Sequence, residues 1–173
     1  MKPCGECREC CKVFPVPVLK KPAGVWCQFA CASGCSVHGP AMPAICRAYD
    51  CYWRDHDLHD ALRPDRLGIV ITEAGTLSVG YHFLPALILQ VAAPEALEME
   101  MGQKILRDLV AEGFAAVVIK GDKAEIHFDS KRYKNASAEE IEVALRQQFG
   151  NDADELIQLG AAPPDYDPLT EAP

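Results

Sequence analysis

The chain has 173 residues, of which 49% are hydrophobic and 24% are charged, and its formal net charge is −8. This length suits one ordinary domain or two small ones. The acidic balance argues against nucleic-acid binding, which needs a basic surface, and the sequence has no run of about 18 apolar residues that could cross a membrane.

Cysteine is confined to the first third of the chain. The sequence opens with a C-x2-C-x2-C-C run, and no cysteine follows Cys51. Cysteines used as small core residues would be scattered, so this clustering indicates thiols that meet at one place, as metal ligands or as disulfides. The candidate metal ligands are Cys4, Cys7, Cys10, Cys11, Cys27, Cys31, Cys35, Cys46 and Cys51.

Metal is favoured over a disulfide framework, with redox or catalytic thiols as a further alternative. Met1 and Lys2 lead into the cysteines without an apolar signal segment, so we expect the protein to stay in the reducing cytoplasm, where disulfides are rare. Nine cysteines cannot all pair within one chain. Adjacent Cys10 and Cys11 suit two neighbouring metal ions.

Residues 1–54 are predicted to form an irregular cysteine-cluster region in which metal replaces a hydrophobic core, so this region is expected to be unfolded or molten without metal. Gly34 predicts a tight turn beside the metal, and Pro43 predicts the start of a short helix. Tyr52 and Trp53 are expected to shield the centre from water.

Three histidines are weaker candidate ligands. His38 lies between two cysteines, and a loop histidine is the simpler interpretation. His56 and His59 fall in a polar connector predicted over residues 55–65, where the simpler interpretation is a solvated segment and the alternative is an extra ligand or proton carrier.

Residues 66–150 are predicted to form a small antiparallel sheet with helices. The first expected element is a hairpin of strands 67–72 and 76–81 with its turn at 73–75, followed by a third strand over 86–91. A helix opened by Pro94 and closed by Gly113 comes next. A second hairpin of strands 114–120 and 124–128 and a helix from Ser137 through Phe149 complete this region. The helix stripe, which includes Met101 and Leu109, is expected in the core. Residues 151–173 are predicted as a helical turn followed by a disordered tail. The fold class is therefore α+β.

The number of cysteines does not decide which metal is bound. Zinc takes four ligands in a closed structural site, so two zinc ions need eight cysteines, while three ions fit nine cysteines if three of these bridge. One [4Fe-4S] cluster, which takes four thiolates, plus one zinc ion fits as well. The bacterial ferredoxin spacing fails, because Cys11 directly follows Cys10 and no cysteine precedes proline.

The motifs over residues 1–54 resemble the YkgJ-type cysteine-cluster family, described as a zinc- or iron-chelating CxxCxxCC domain. The similarity rests on the opening run, on Gly34-Cys35-Ser36-Val37, on Pro43-x2-Cys46-Arg47, and on Cys51 with Trp53. It implies metal chelation without an agreed reaction. A similar motif in flagellin lysine methylases is associated with an iron–sulfur cluster. Cys31 lies outside the family pattern, so the resemblance implies that Cys31 is the weakest ligand.

The sequence thus predicts a zinc–thiolate protein with a structural, metal-handling or interaction role, in which the C-terminal region contacts a protein partner. An iron–sulfur protein with a redox or enzymatic role is the alternative. No nucleotide loop, Ser/His/Asp pattern or HExxH motif is present, so no catalytic residue is predicted and an enzyme is the less favoured hypothesis.

Overall fold

The computed structural model describes residues 2–79, 82–121 and 123–129 and the single residue Val143; for residues 77–79, 82 and 83 it describes the backbone alone. The cysteine-rich part contains helices α1 (Cys10–Val13), α2 (Ala44–Ala48), α3 (Tyr52–Asp55) and α4 (Pro64–Leu67), strands β1 (Ala30–Cys31) and β2 (Gly34–Cys35), and 3-10 turns at Pro17–Leu19 and Asp60–Leu62. The remaining described elements are β3 (Ile69–Val79), β4 (His82–Val91), α5 (Glu100–Glu112), β5 (Ala115–Lys120) and β6 (Lys123–His127).

Strands β3 to β6 form a four-stranded sheet in sequence order. The β3–β4 and β5–β6 pairs are antiparallel, while β4 and β5 are parallel. The predicted α+β class is confirmed. The sheet is mixed rather than wholly antiparallel, because α5 connects β4 to β5 and a crossover of this kind returns the chain in the same direction.

The first predicted hairpin is wrong in its turn. Residues 73–75 lie inside the long strand β3, and the chain reverses between Val79 and His82 instead. Between Glu73 and Thr76 the register gains one residue relative to β4, and Gly75 has φ 82°. A β-bulge of this kind commonly uses a left-handed glycine. It lies opposite Pro85, which has no N–H to donate to the ladder.

The other predicted elements have mixed outcomes. The helix expected from Pro94 begins only at Glu100, because residues 94–99 form turns that bury Ala96. It ends at Gly113, with φ 104°, as predicted. The hairpin of β5 and β6 and the short helix after Pro43 are also confirmed. The predicted helix over 137–149 and the tail over 151–173 lie outside the described residues, apart from helical Val143.

The two faces of the sheet have different neighbours. Helix α5 packs Leu109 against Ile69 and Leu89 on one face. Met101, expected in the core, is 41% exposed instead. Side chains alternate along a strand, so Val70 points to the opposite face, where Val13 and Phe14 of the cysteine-rich region pack on Val70 and Ala92. The cysteine-rich region therefore shares a hydrophobic core with the sheet.

No helix in the described part of the chain combines the length and the apolar character that crossing a bilayer needs.

Gly102 provides a test of how α5 is seated. A glycine inside a helix costs about 1 kcal/mol relative to alanine, but a Cβ at Gly102 would lie 1.9 Å from the carbonyl oxygen of Ala96. We therefore expect Gly102→Ala to lower the free energy of unfolding by about 1–3 kcal/mol, measured by urea denaturation. Exposed Gln103→Ala is the control and should change little; a more stable Gly102→Ala variant would contradict the close contact.

Candidate metal centre

The cysteines lie on short elements that bring distant parts of the sequence together. Cys10 and Cys11 lie on α1, Cys31 and Cys35 on the β1–β2 hairpin, Cys46 on α2, and Cys51 immediately before α3. Gly34, predicted in a tight turn, has φ 119° but is the first residue of β2, and the turn of this hairpin is formed by Ala32 and Ser33 before it. The Cys27 amide donates to the Cys11 carbonyl at 3.0 Å, which fixes Cys27 beside α1. All nine cysteines are free thiols.

Four thiols, which we name the first set, lie around the N-terminal turn: Cys4, Cys7, Cys10 and Cys51. Burial, reinforced by the charge of Cys51, raises the pKa of Cys7 to about 11. Burial also raises the pKa of Cys51, to which the charge of Cys4 adds. A hydrogen bond with Cys11, burial, and the charges of Cys4 and Cys7 raise the pKa of Cys10. Each thiol of the first set therefore lies near enough to another that the charge of one thiolate affects its neighbour.

Four further thiols form the second set: Cys11, Cys27, Cys35 and Cys46. Burial and the charges of Cys11, Cys27 and Cys35 raise the pKa of Cys46 to about 11. Burial and the charges of Cys11 and Cys27 also raise the pKa of Cys35. The second set thus joins α1, the hairpin and α2 around one place.

The adjacent cysteines connect the two sets. The Cys10 thiol donates a hydrogen bond to the Cys11 sulfur, which raises the pKa of Cys10 and lowers that of Cys11. The positive charges of Lys21 and Arg8 lower the pKa of Cys11 further. In this pair, the Cys11 thiol therefore loses its proton at a lower pH than the Cys10 thiol.

Two cavities lie among the thiols, and each of them reaches thiols of both sets. One cavity of about 460 Å³ is lined by all four thiols of the first set, by Cys11, Cys35 and Cys46, and by His38 and the side chains of Arg8, Arg47 and Arg54. A smaller cavity, of about 70 Å³, touches all four thiols of the second set and Cys10. Its other walls are apolar and include Phe14, Val16 and Ile45. All four thiols of the first set therefore share the larger and more polar space, while of the second set only Cys27 is confined to the smaller one.

The thiols do not converge as they stand. Among the described residues, no group of three or more His, Cys, Asp or Glu side chains has the geometry to hold a metal ion.

Backbone amides point at several of the sulfurs. Cys7 accepts from the N–H groups of Glu9 and Asp65, Cys51 accepts from that of Arg54, and Cys35 accepts from that of Val37. Each of these bonds lowers the pKa of its cysteine, because a hydrogen bond to the charged form favours that form. The backbone therefore supports thiolates in both sets.

Cys31 and the histidines stand apart from these sets. The Cys31 thiol is partly exposed and lies 3.4 Å from Ser33 Oγ, although its charge still reaches Cys35. His56 pairs with Glu73 at 2.8 Å, and His59 Nδ1 accepts from the Ala61 amide. Of the candidate histidines, only His38 lines the larger cavity.

Two residues at the site were missed by sequence reasoning. Tyr49 is half-buried, and removal of its hydroxyl from water is the main reason that its pKa lies well above the ordinary value, to which the charges of Cys10, Cys51 and Cys7 add. Lys21 is 7% exposed and feels the charges of Cys27, Cys11 and Cys46. Of the aromatics expected at the metal, Trp53 is buried, whereas Tyr52 packs edge-on against Phe114.

No family model matches the chain, and the searches of curated proteins and of solved structures found no significant match either. The resemblance to the cysteine-cluster family stays a prediction.

Tyr49 tests the connection between the first set and the sheet. Its hydroxyl lies 3.1 Å from Thr72 Oγ1 on β3. We expect Tyr49→Phe to lower the free energy of unfolding by about 1 kcal/mol, because the Thr72 hydroxyl loses its partner. A double-mutant cycle with Thr72→Val, measured by urea denaturation, isolates this bond; strictly additive effects would show that the bond contributes nothing.

Proposed function

We propose that this protein binds metal through two groups of four cysteines, the first set and the second set, with Cys31 in neither. The observation that supports this most is the placement of the thiols: all four of the first set line the larger cavity, all four of the second set line the smaller one, and Cys10 and Cys11 lie together on α1 where the two sets meet. Two groups of four thiols supply the eight ligands that two closed zinc sites need.

The donor chemistry fits zinc. Four thiolates at about 2.3 Å complete a tetrahedral structural site, and thiolate is among the ligands that zinc prefers. The sulfurs need to close in, which rotation between the staggered χ1 wells allows. When bound, zinc supplies a fixed covalent centre that holds α1, the hairpin and α2 together. The role that follows is structural or metal-handling, with the sheet half as a platform for a protein partner.

The alternative places a [4Fe-4S] cluster in the first set. The roomier cavity of about 460 Å³ favours this assignment, as do the amide hydrogen bonds to Cys7 and Cys51, since such bonds to sulfur tune cluster potentials. When bound, the cluster supplies one-electron chemistry. An enzymatic role belongs to this alternative alone. Free thiols in either case suit the reducing cytoplasm.

Paired substitutions test the division into sets. Cys7→Ser/Cys51→Ser should remove one metal centre, and Cys27→Ser/Cys46→Ser should remove the other, whereas Cys31→Ser should keep the full content. For zinc we expect about two ions in the native chain and about one in each double variant. Metal analysis of protein purified without oxygen measures this.

Absorbance on the same samples separates the two metals. Colourless protein with zinc supports the zinc proposal, and visible charge-transfer bands with iron that vanish in Cys7→Ser/Cys51→Ser support the cluster. A fully reduced native chain without bound metal would refute both, and equal loss in Cys31→Ser would refute the grouping.

Metal removal should loosen the region around α3. Trp53 is 5% exposed and follows Cys51 by two residues, while Trp26, the other tryptophan, is 44% exposed. In a Trp26→Phe variant, chelation should make Trp53 fluorescence accessible to acrylamide, because Cys51 loses its metal anchor. The same chain without chelator is the control, and unchanged quenching would show that apolar packing alone holds α3.

A further inference from the structure

Lys21 is a buried cation with an organised socket. It is 7% exposed, and its ammonium donates to the carbonyl oxygens of Phe14, of Lys12 at 3.2 Å and of Pro22 at 3.0 Å. These three bonds use every N–H of the ammonium. Its backbone also pairs with Val16 in an isolated bridge. The side chain is therefore held in place, unlike that of a surface lysine.

Carbonyl groups satisfy the hydrogen bonds of this ammonium but carry no net charge to balance it. Burying an unbalanced charge is costly. The leading negative charges that act on Lys21 are those of Cys27, Cys11, Cys10 and Cys46, of which three belong to the second set. A buried lysine in this position makes physical sense when those sulfurs are anionic, as metal binding makes them.

The socket also ties together the segments that carry the second set. Lys12 and Phe14 lie at the end of α1, directly after Cys11, and Pro22 lies in the loop that leads to Cys27. We propose that Lys21 is a positioning residue for the second set: it holds one fixed positive charge against a four-thiolate metal centre and keeps the α1 and Cys27 segments in register. This inference rests on the proposed function.

The neighbouring lysine supplies a matched control. Lys20 has the same side chain but is exposed, and its backbone is in a left-handed conformation with φ 51°. Two substitutions separate charge from shape at Lys21. Lys21→Met keeps the length of the side chain without charge or donors, and Lys21→Gln keeps N–H donors for the carbonyl groups without charge.

The experiment isolates the second set in a Cys7→Ser/Cys51→Ser background of the full chain, with cobalt(II) alone as the probe. We expect Lys21→Met and Lys21→Gln each to weaken cobalt binding about 10- to 100-fold, as loss of an outer partner of a metal site typically does, while Lys20→Met stays within about twofold of the background. Charge-transfer bands from sulfur to cobalt report the binding.

The midpoint potential of iron bound in the second set distinguishes loss of the Lys21 charge from a general loosening of the site. With iron alone in the second set, loss of the Lys21 charge should lower the Fe(III)/Fe(II) midpoint potential, because the reduced site carries one more negative charge. Affinity or potential in Lys21→Gln equal to that of Lys20→Met would overturn the role of Lys21. Lack of cobalt binding in the background itself would overturn the proposed second set as well, so the two failures are distinguishable.

Discussion

The contact between α1 and the sheet is the constraint on which the cysteine-rich region depends. Val13 and Phe14 follow Cys10 and Cys11 directly and pack against Val70 and Ala92. Phe14 also meets the Tyr49 ring, with the ring centroids 4.6 Å apart. Burying such side chains contributes about 1.5–3 kcal/mol each. This packing fixes α1 before any metal is considered, and both sets of thiols are arranged from α1 outward.

This core changes the balance of forces expected for a small metal-binding region. The sequence predicted that residues 1–54 owe their order to metal, because little else in that segment was expected to form a core. The structure adds buried Val16, Ile45 and Trp53 in that region, so apolar packing supplies order that the sequence had assigned to metal alone. Packing sets the path of the chain, and coordination would set the final positions of the sulfurs.

Sequence patterns predicted features that depend on nearby residues. The end of α5 at Gly113 and the turn of the β5–β6 hairpin at Gly121 could be predicted, because both depend only on the local backbone conformation. The turn expected at 73–75 failed because a glycine that could open a hairpin instead forms a bulge opposite Pro85. That choice depends on a partner strand, which a local pattern cannot show.

The candidate site follows the same rule. The thiols themselves could be read from spacing, but their division into two fours depends on tertiary contacts. Lys21 could not be told from Lys20 by sequence, because their difference lies in hydrogen bonds to three carbonyl groups, two of which come from the segment of α1. Tyr49 likewise gains its place beside the first set through Thr72 on β3 and the ring of Phe14.

The direct adjacency of Cys10 and Cys11 has a consequence for the order of assembly. Successive residues on a helix point about 100° apart, so one short turn of backbone serves both sets at once. Any ion that fixes Cys11 also restricts Cys10, and the reverse holds equally. In the proposed arrangement of two centres, an ion bound by one set therefore orders part of the other set in advance, so the second ion loses less conformational entropy when it binds.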